Sequence, residues 1–166
     1  MTDFPDEILT LARRIIEEFS ARGLMVATAE SCTGGLIVGA LTEIPGSSAV
    51  VDRGFVTYTN AAKMDMLGVQ EQTLTQFGAV SKETALQMVH GALFRSCADL
   101  AVAVTGVAGP GGGSADKPVG LVHVAAKAKN GGLRHREMRY GDIGRDKVRL
   151  ATVQTALEML IELNQA

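Results

Sequence analysis

A short polar segment, Glu30-Ser31-Cys32-Thr33-Gly34-Gly35, combines a hydroxyl, a thiol and two adjacent glycines directly after an apolar stretch. The glycines favour a turn into a helix, and the first backbone N–H groups of a helix are unpaired and carry partial positive charge. A nucleophile beside such groups has donors for an oxyanion, which makes Ser31 a candidate nucleophile. Two other interpretations stay open: Ser31 or Thr33 is simply the N-cap of the helix, or the Cys32 thiol reacts instead.

A serine nucleophile needs a base, and the candidates are the histidines and Lys63. His90, His123 and His135 show no spacing typical of a catalytic triad, and we expect them to be structural. Lys63 follows a predicted strand and begins a short helix, where the helix dipole opposes an ammonium group and favours the neutral amine. A partly buried lysine with a lowered pKa can accept the proton of a serine hydroxyl. The alternative is an ordinary solvated lysine.

A glycine-rich loop, residues 106–120, follows the apolar run 100–104. In open α/β sheets, ligands bind at the carboxyl ends of strands, where this loop would lie. The loop has neither the Gly-Lys-Ser/Thr ending of a P-loop nor the glycine spacing of a dinucleotide-binding fingerprint. It is therefore either part of another kind of binding site or a surface excursion of a hairpin.

Two arginines, Arg145 and Arg149, lie four residues apart at the start of the predicted last helix, so they share one face. Two guanidinium groups beside a helix N-terminus suit a phosphate, whereas ion pairs with Asp142 or Asp146 are the alternative. No Cys/His set has zinc spacing, and no Asp/Glu set resembles a calcium loop. We predict no metal and no cofactor.

Alternating helical and strand patterns must position these residues. Apolar side chains recur every three or four residues in the predicted helices, whereas the predicted strands are rich in apolar and β-branched residues. We predict helices at 5–22, 33–43 and 60–67, from the N-cap Ser81 through 93, and around 150–161; we predict strands at 24–29, 50–58, 100–104, 119–127 and 133–140. The last two strands can form a hairpin. The pattern predicts one α/β domain over residues 1–166, with a mixed sheet.

Composition excludes several classes of protein. The 166 residues carry 16 Lys and Arg against 18 Asp and Glu, with no Trp, which is unlike a nucleic-acid-binding protein. No apolar run reaches the ~18 residues of a membrane span, and the acidic N-terminal segment, residues 1–6, does not resemble a signal peptide. Cys32 and Cys97 make no disulfide framework, so we expect a cytoplasmic protein that binds neither nucleic acid nor membrane.

Several segments together resemble the C-terminal domain of the CinA (competence/damage-inducible protein) family. They follow in order over nearly the whole chain: AESCTGG at 29–35, YTNAAK at 58–63, LGV at 67–69, GAVS at 78–81, TGVAGPGG at 105–112, KPVG at 117–120, then Gly144-Arg145 and Val148-Arg149. The resemblance implies a layered αβα sandwich. The matching segments cover only the C-terminal domain of longer family members, so we expect neither their additional N-terminal domain nor its activity here.

The same resemblance implies an activity. The stand-alone form of the domain hydrolyses the carboxamide of nicotinamide mononucleotide to nicotinate mononucleotide and ammonia, in pyridine nucleotide salvage, by a serine–lysine mechanism without a cofactor. Carried onto this sequence, Ser31 would attack the amide carbon and Lys63 would accept its proton. The hydroxyl groups of Tyr58 and Thr105 would complete a proton relay.

The resemblance also implies how the substrate binds. Backbone N–H groups around residues 33–35 would hold the oxyanion, Arg145 would hold the 5′-phosphate, and Glu30 would orient the site. The implied substrate-binding residues are Glu30, Thr33, Gly34, Gly35, Gly106, Gly109, Gly111, Gly112 and Arg145. A homodimer or higher homo-oligomer is expected by resemblance. The alternatives are a non-catalytic mononucleotide-binding or regulatory module and a general hydrolase of small amides.

Overall fold

Five strands form one mixed sheet in the computed structural model, which describes residues 3–165. Met1 and Thr2, the start of the acidic N-terminal segment, and Ala166 lie outside the described residues. The strands are β1 (Val26–Glu30), β2 (Val51–Val56), β3 (Leu100–Gly106), β4 (Leu121–Ala128) and β5 (Leu133–Arg139). The sheet order is β2-β1-β3-β4-β5; β1 is parallel to β2 and β3, and β4 is antiparallel to β3 and β5. The predicted mixed sheet is confirmed.

Helices cover both faces of this sheet. They are α1 (Asp6–Arg22), α2 (Leu36–Thr42), α3 (Asn60–Leu67), α4 (Glu71–Phe77), α5 (Lys82–Phe94) and α6 (Arg145–Gln165), with a 3₁₀ turn at Ser47–Ala49. One hydrophobic cluster joins α1, α2 and α6 to one face of the sheet, and a second joins α3, α4 and α5 to the other. The fold is therefore the layered αβα sandwich that the resemblance implied.

The strand residues on the two faces differ in size. The face toward α1, α2 and α6 is built mainly from larger aliphatic residues, Val26, Leu100, Val102, Val104, Val122 and Val124. The face toward α5 is built from alanines, Ala27, Ala29, Ala101, Ala103 and Ala125. On that side the helices also pack closely on each other, because a Cβ added at Gly91 of α5 would lie 1.9 Å from the carbonyl oxygen of Leu67 in α3.

Helix ends follow the capping residues that the sequence offers. The side chain of Thr59 accepts a hydrogen bond from the N–H of Ala62 at the start of α3, and Gly68 ends the helix at φ 71°. Ser81 caps α5 in the same way, by accepting from the N–H of Thr84. Both helices begin where the sequence predicts, because a side-chain oxygen satisfies an unpaired first-turn N–H.

Some boundaries differ from the prediction. α2 begins at Leu36 rather than at residue 33, because residues 31–35 form a separate turn. β3 continues through Gly106, and β4 begins at Leu121 rather than at residue 119, so the connecting loop is residues 107–120. The short helix α4 is not predicted, since its sequence has little apolar periodicity and buries only Thr73 and Leu74.

The three parallel strands bring three chain segments to one edge of the sheet. β1 lies between β2 and β3, and their carboxyl ends are adjacent because the strands run the same way. Residues 31–35 follow β1, residues 57–63 follow β2, and the glycine-rich loop follows β3. Within residues 3–165, no helix is long and apolar enough to cross a bilayer.

Candidate active site

Ser31 and Lys63 meet at the carboxyl edge of the sheet. The Nζ atom of Lys63 lies 3.1 Å from the Oγ atom of Ser31. The two residues come from different elements, since Ser31 follows β1 and Lys63 lies in the first turn of α3. Lys63 is 1% exposed and Ser31 is 8% exposed, so the contact is shielded from bulk water.

Burial makes the neutral amine of Lys63 more accessible than it is for a lysine in water. Burial lowers the pKa of Lys63 to about 8. Its Nζ also donates to the carbonyl oxygens of Thr57, at 2.9 Å, and Tyr58, at 3.3 Å. A neutral amine has two hydrogens for these two carbonyls and one lone pair, which can then accept the hydroxyl proton of Ser31.

A tight turn carries the hydroxyl of Ser31. The N–H of Ser31 donates to Val104 of β3 at 3.0 Å, and the N–H of Thr33 donates back to the carbonyl of Ser31 at 2.9 Å. Cys32, between them, has φ 73°, the one positive φ of a non-glycine residue within the described part of the chain. A side chain in this region costs roughly 1–2 kcal/mol, so the surrounding contacts must hold the turn.

The carboxylate of Glu30 lies behind this turn and does not reach the substrate side. Glu30 is 0% exposed and accepts hydrogen bonds from the hydroxyls of Thr28 and Thr33. It also accepts from the backbone N–H groups of Gly35, Ile37 and Val38 at the start of α2. A negative charge at a helix N-terminus is favourable, which accounts for this buried acid.

Two of the N–H groups predicted to hold the oxyanion already have partners within the protein. The N–H of Gly35 is bound by Glu30, and the N–H of Thr33 is bound by the carbonyl of Ser31. Glu30, Thr33, Gly34 and Gly35 are absent from the lining of the cleft that contains Ser31. The carboxylate of Glu30 supports the turn from behind by accepting from Thr33 and Gly35, and a direct contact of these four residues with substrate stays a prediction.

A cleft of about 280 Å³ opens beside the Ser31–Lys63 pair. It brings together most of the predicted site residues: Ser31, Lys63, Tyr58, Thr105, Gly106, Gly109, Gly111, Gly112 and Arg145. Cys32, the alternative nucleophile, also lines it, together with Ala79, Val80, Val107 and Ala108, which were not predicted. For Ala79 and Val80, the sequence signal that could have predicted this position is the GAVS segment at 78–81. It ends at the N-cap of α5 and so places a backbone turn beside the site.

The hydroxyl groups expected in a proton relay have other partners. Thr105 donates to the carbonyl of Ala79 at 2.8 Å. Tyr58, which is 57% exposed, accepts a hydrogen bond from Arg145 Nη2 at 2.9 Å. Tyr58 contacts Lys63 through its backbone carbonyl rather than its hydroxyl. The structure thus places both side chains in the cleft but joins neither hydroxyl to Ser31 or Lys63.

The two arginines of α6 have different surroundings. Arg145 is exposed at the cleft and also donates to the carbonyl of Gly109 at 2.9 Å. Arg149 donates to the carbonyl groups of Cys32 and Thr33 and does not line the cleft. Within residues 3–165, neither arginine forms an ion pair with Asp142 or Asp146.

The described residues contain no group of three or more His, Cys, Asp or Glu side chains that could hold a metal ion. Instead, two of the histidines pair with each other. Nδ1 of His123 lies 3.0 Å from Nε2 of His135, and the rings stack with centroids 5.3 Å apart. Their side chains are absent from the lining of the Ser31 cleft, which agrees with a structural role.

Comparison with known proteins identifies the family. The model of the CinA C-terminal domain matches residues 8–164. The nicotinamide-nucleotide amidohydrolase PncC of Escherichia coli (strain K12) is 48% identical over 161 residues, which cover 96% of this chain and 95% of that protein. A crystal structure of competence/damage inducible protein CihA from Agrobacterium tumefaciens has a TM-score of 0.98 and 75% identity and covers 99% of both chains.

A second solved structure extends the likeness to more distant relatives. The crystal structure of a CinA superfamily protein from Escherichia coli has a TM-score of 0.89 and 35% identity, covering 98% of this chain and 94% of that one. Sequence and fold therefore agree over nearly the full length of each relative. This chain belongs to the CinA C-terminal domain family.

Proposed function

We propose that this protein hydrolyses the carboxamide of nicotinamide mononucleotide to nicotinate mononucleotide and ammonia, with Ser31 as nucleophile and Lys63 as its base. The observation that carries the proposal is the 3.1 Å contact between a buried lysine amine and a serine hydroxyl at the wall of a cleft. The relatives named nicotinamide-nucleotide amidohydrolase support the choice of substrate, since they match 96% and 86% of the chain.

The reaction begins when neutral Lys63 accepts the hydroxyl proton as Ser31 Oγ bonds to the amide carbon. The tetrahedral intermediate then breaks its C–N bond, Lys63 returns the proton to the nitrogen, and ammonia leaves. Water attacks the resulting ester carbon and gives one proton to Lys63. Cleavage of the ester bond releases nicotinate mononucleotide, and Ser31 regains its proton from the lysine.

The oxyanion of the intermediate needs a donor near Ser31. The backbone N–H of Cys32 directly follows the nucleophile and has no hydrogen-bond partner among residues 3–165. Cys32 also lines the cleft. We assign this N–H as an oxyanion donor in place of the N–H groups of Thr33 and Gly35, which have partners within the protein. Removing one such donor typically costs a factor of about 10²–10³ in turnover.

Arg145 provides the charge that the phosphate of the substrate requires. Its guanidinium group lies at the exposed rim of the cleft, held by the hydroxyl of Tyr58 and the carbonyl of Gly109. Two of its donors are thus fixed in direction, while the side chain stays exposed to an incoming anion. Guanidinium groups bind phosphate oxygens through paired, charge-assisted hydrogen bonds.

The proposal is tested by measuring ammonia release from nicotinamide mononucleotide. The wild type should turn over, and Ser31→Ala and Lys63→Ala should each lose turnover while keeping the circular dichroism spectrum. Cys97→Ala, which removes the exposed free thiol, is the matched control and should behave as the wild type. A folded Ser31→Ala variant with wild-type turnover would remove Ser31 from the mechanism.

Substrate comparison separates a nucleotide enzyme from a general amidase. Nicotinamide, which lacks the ribose phosphate, should be a far poorer substrate than the mononucleotide. Arg145→Ala should raise KM for the mononucleotide and leave turnover of nicotinamide unchanged, because the lost contact involves only the phosphate. Equal turnover of both amides, with no effect of Arg145→Ala, would favour the general hydrolase.

A further inference from the structure

Arg149 forms two hydrogen bonds to the turn that follows the candidate nucleophile. Its Nε donates to the carbonyl oxygen of Cys32 at 3.0 Å, and its Nη2 donates to the carbonyl oxygen of Thr33 at 3.0 Å. These are the two carbonyls immediately after Ser31, and Arg149 reaches them from α6, on a distant part of the chain. A planar guanidinium presents two donors at a fixed spacing, so it fixes the positions of both carbonyls at once.

The turn needs such support because its backbone is strained. Cys32 has a positive φ, and the N–H of Thr33 folds back onto the carbonyl of Ser31. Such a conformation persists only where surrounding contacts hold it. From one side, the hydroxyl of Thr33 donates to Glu30 at 2.7 Å. Arg149 holds both backbone carbonyls: without it, the carbonyl of Cys32 would lose its one hydrogen bond among residues 3–165, and that of Thr33 would keep only the N–H of Leu36 at 3.2 Å.

Among residues 3–165, Arg149 forms hydrogen bonds with the site through this turn and not inside the cleft. Arg145, one helical turn earlier, lines the cleft, but Arg149 does not. Both donors that connect Arg149 to the site contact backbone carbonyls of the turn. Arg149 therefore affects the reaction by positioning Ser31, whereas Arg145 also contacts the substrate directly.

We propose that Arg149 is a positioning residue for Ser31: it holds the strained turn so that the hydroxyl stays within reach of Lys63. This inference rests on the proposed amide hydrolysis, in which proton transfer requires the 3.1 Å approach of Oγ and Nζ. Misplacement of a reacting group by about 1 Å can lower turnover on the order of 10²-fold.

Steady-state kinetics with nicotinamide mononucleotide test the inference in three variants. Arg149→Ala should lower kcat on the order of 10²-fold and leave KM within about twofold, because substrate contacts are kept. Arg149→Lys should lie between Arg149→Ala and the wild type, because one ammonium keeps the charge but cannot fix both carbonyls. Lys147→Ala is the matched control, since Lys147 is exposed on the same stretch of α6, and it should match the wild type.

Small-molecule rescue adds a readout that general destabilisation would not give. Guanidinium chloride at millimolar concentration should raise the kcat of Arg149→Ala and leave the wild type unchanged. Wild-type kcat in Arg149→Ala, or a loss confined to KM, would overturn the inference. If Arg149→Ala does not fold, Arg149→Lys decides: full wild-type kcat in that folded variant would equally overturn it.

A labelling experiment distinguishes failure of this inference from failure of the proposed function. If the wild type releases no ammonia, the substrate assignment fails, and the rate at which a sulfonyl fluoride modifies Ser31 is measured by mass spectrometry. Slower modification in Arg149→Ala than in the wild type and Lys147→Ala would support positioning by Arg149. Equal rates in all three proteins would overturn it.

Discussion

The buried amine predicts how turnover depends on pH. Lys63 can accept the Ser31 proton only as a neutral amine, and burial lowers its pKa to about 8. With that pKa, about 9% of Lys63 is neutral at about pH 7 and about 91% at about pH 9. The ratio kcat/KM reports the free enzyme, so it should rise about tenfold over this interval and then level off.

Ammonia release from nicotinamide mononucleotide is the assay, measured at subsaturating substrate in buffers of constant ionic strength. The coupling enzyme is calibrated with ammonium chloride at every pH, so that its own pH dependence is removed. The inflection of kcat/KM should lie near 8, the pKa of Lys63. It should be unchanged in Cys97→Ala, since that thiol is exposed and outside the cleft.

Two results would refute this reasoning. A profile that stays flat from about pH 7 to about pH 9 would show that no group with the pKa of Lys63 must lose a proton. An inflection above 9.0 that disappears in Cys32→Ala would instead indicate the Cys32 thiol, because burial raises the pKa of that thiol from its usual value. The flat profile or the thiol-dependent inflection would remove the amine from its role as base.

Three further predictions concern stability. Gly91→Ala should lower the free energy of unfolding by about 1–3 kcal/mol in urea titrations, because the new Cβ would meet the carbonyl of Leu67; an unchanged midpoint would contradict the packing described for α3 and α5. Thr57→Val should raise the free energy of unfolding by about 1 kcal/mol, because this buried hydroxyl has no hydrogen-bond partner within the described chain. A lower free energy of unfolding in this variant would show that the hydroxyl does have a hydrogen-bond partner. Burial lowers the pKa of both His123 and His135 below 6.5, so the unfolded chain binds more protons and the free energy of unfolding should fall as pH decreases below that value. His135→Gln should weaken this dependence between about pH 7 and about pH 5.5, and an identical slope would count against the histidine pair.

The fold could be predicted largely because local signals agree with it. Thr59 and Gly68 bracket α3, and Ser81 begins α5, as capping preferences require. α4 lacks such a signal, since its buried residues are one threonine and one leucine on an otherwise polar segment. Its position depends on packing against α5, which a local pattern does not contain.

The site was harder to predict because its partners are distant in sequence. Resemblance to the family indicated Ser31 and Lys63, yet only the parallel order of β1 and β2 brings them within 3.1 Å. Glu30 lies at the end of a strand that is buried on both faces, so its side chain lies behind the turn, where it accepts from the N–H of Gly35 that was expected to hold the oxyanion. A single sequence does not show which acceptor each backbone N–H group of the turn will bind, because that choice depends on the three-dimensional path of the chain.

The alanine face of the sheet has a consequence for how related sequences can diverge. Larger aliphatic residues under α1, α2 and α6 can exchange volume with their neighbours, so compensating substitutions can accumulate there. Under α5 the five strand alanines each present a single methyl group, and enlarging one would push the helix outward. Homologous chains that keep this spacing should therefore accept many apolar substitutions on the face toward α1, α2 and α6. On the face toward α5 they should keep the smallest side chains.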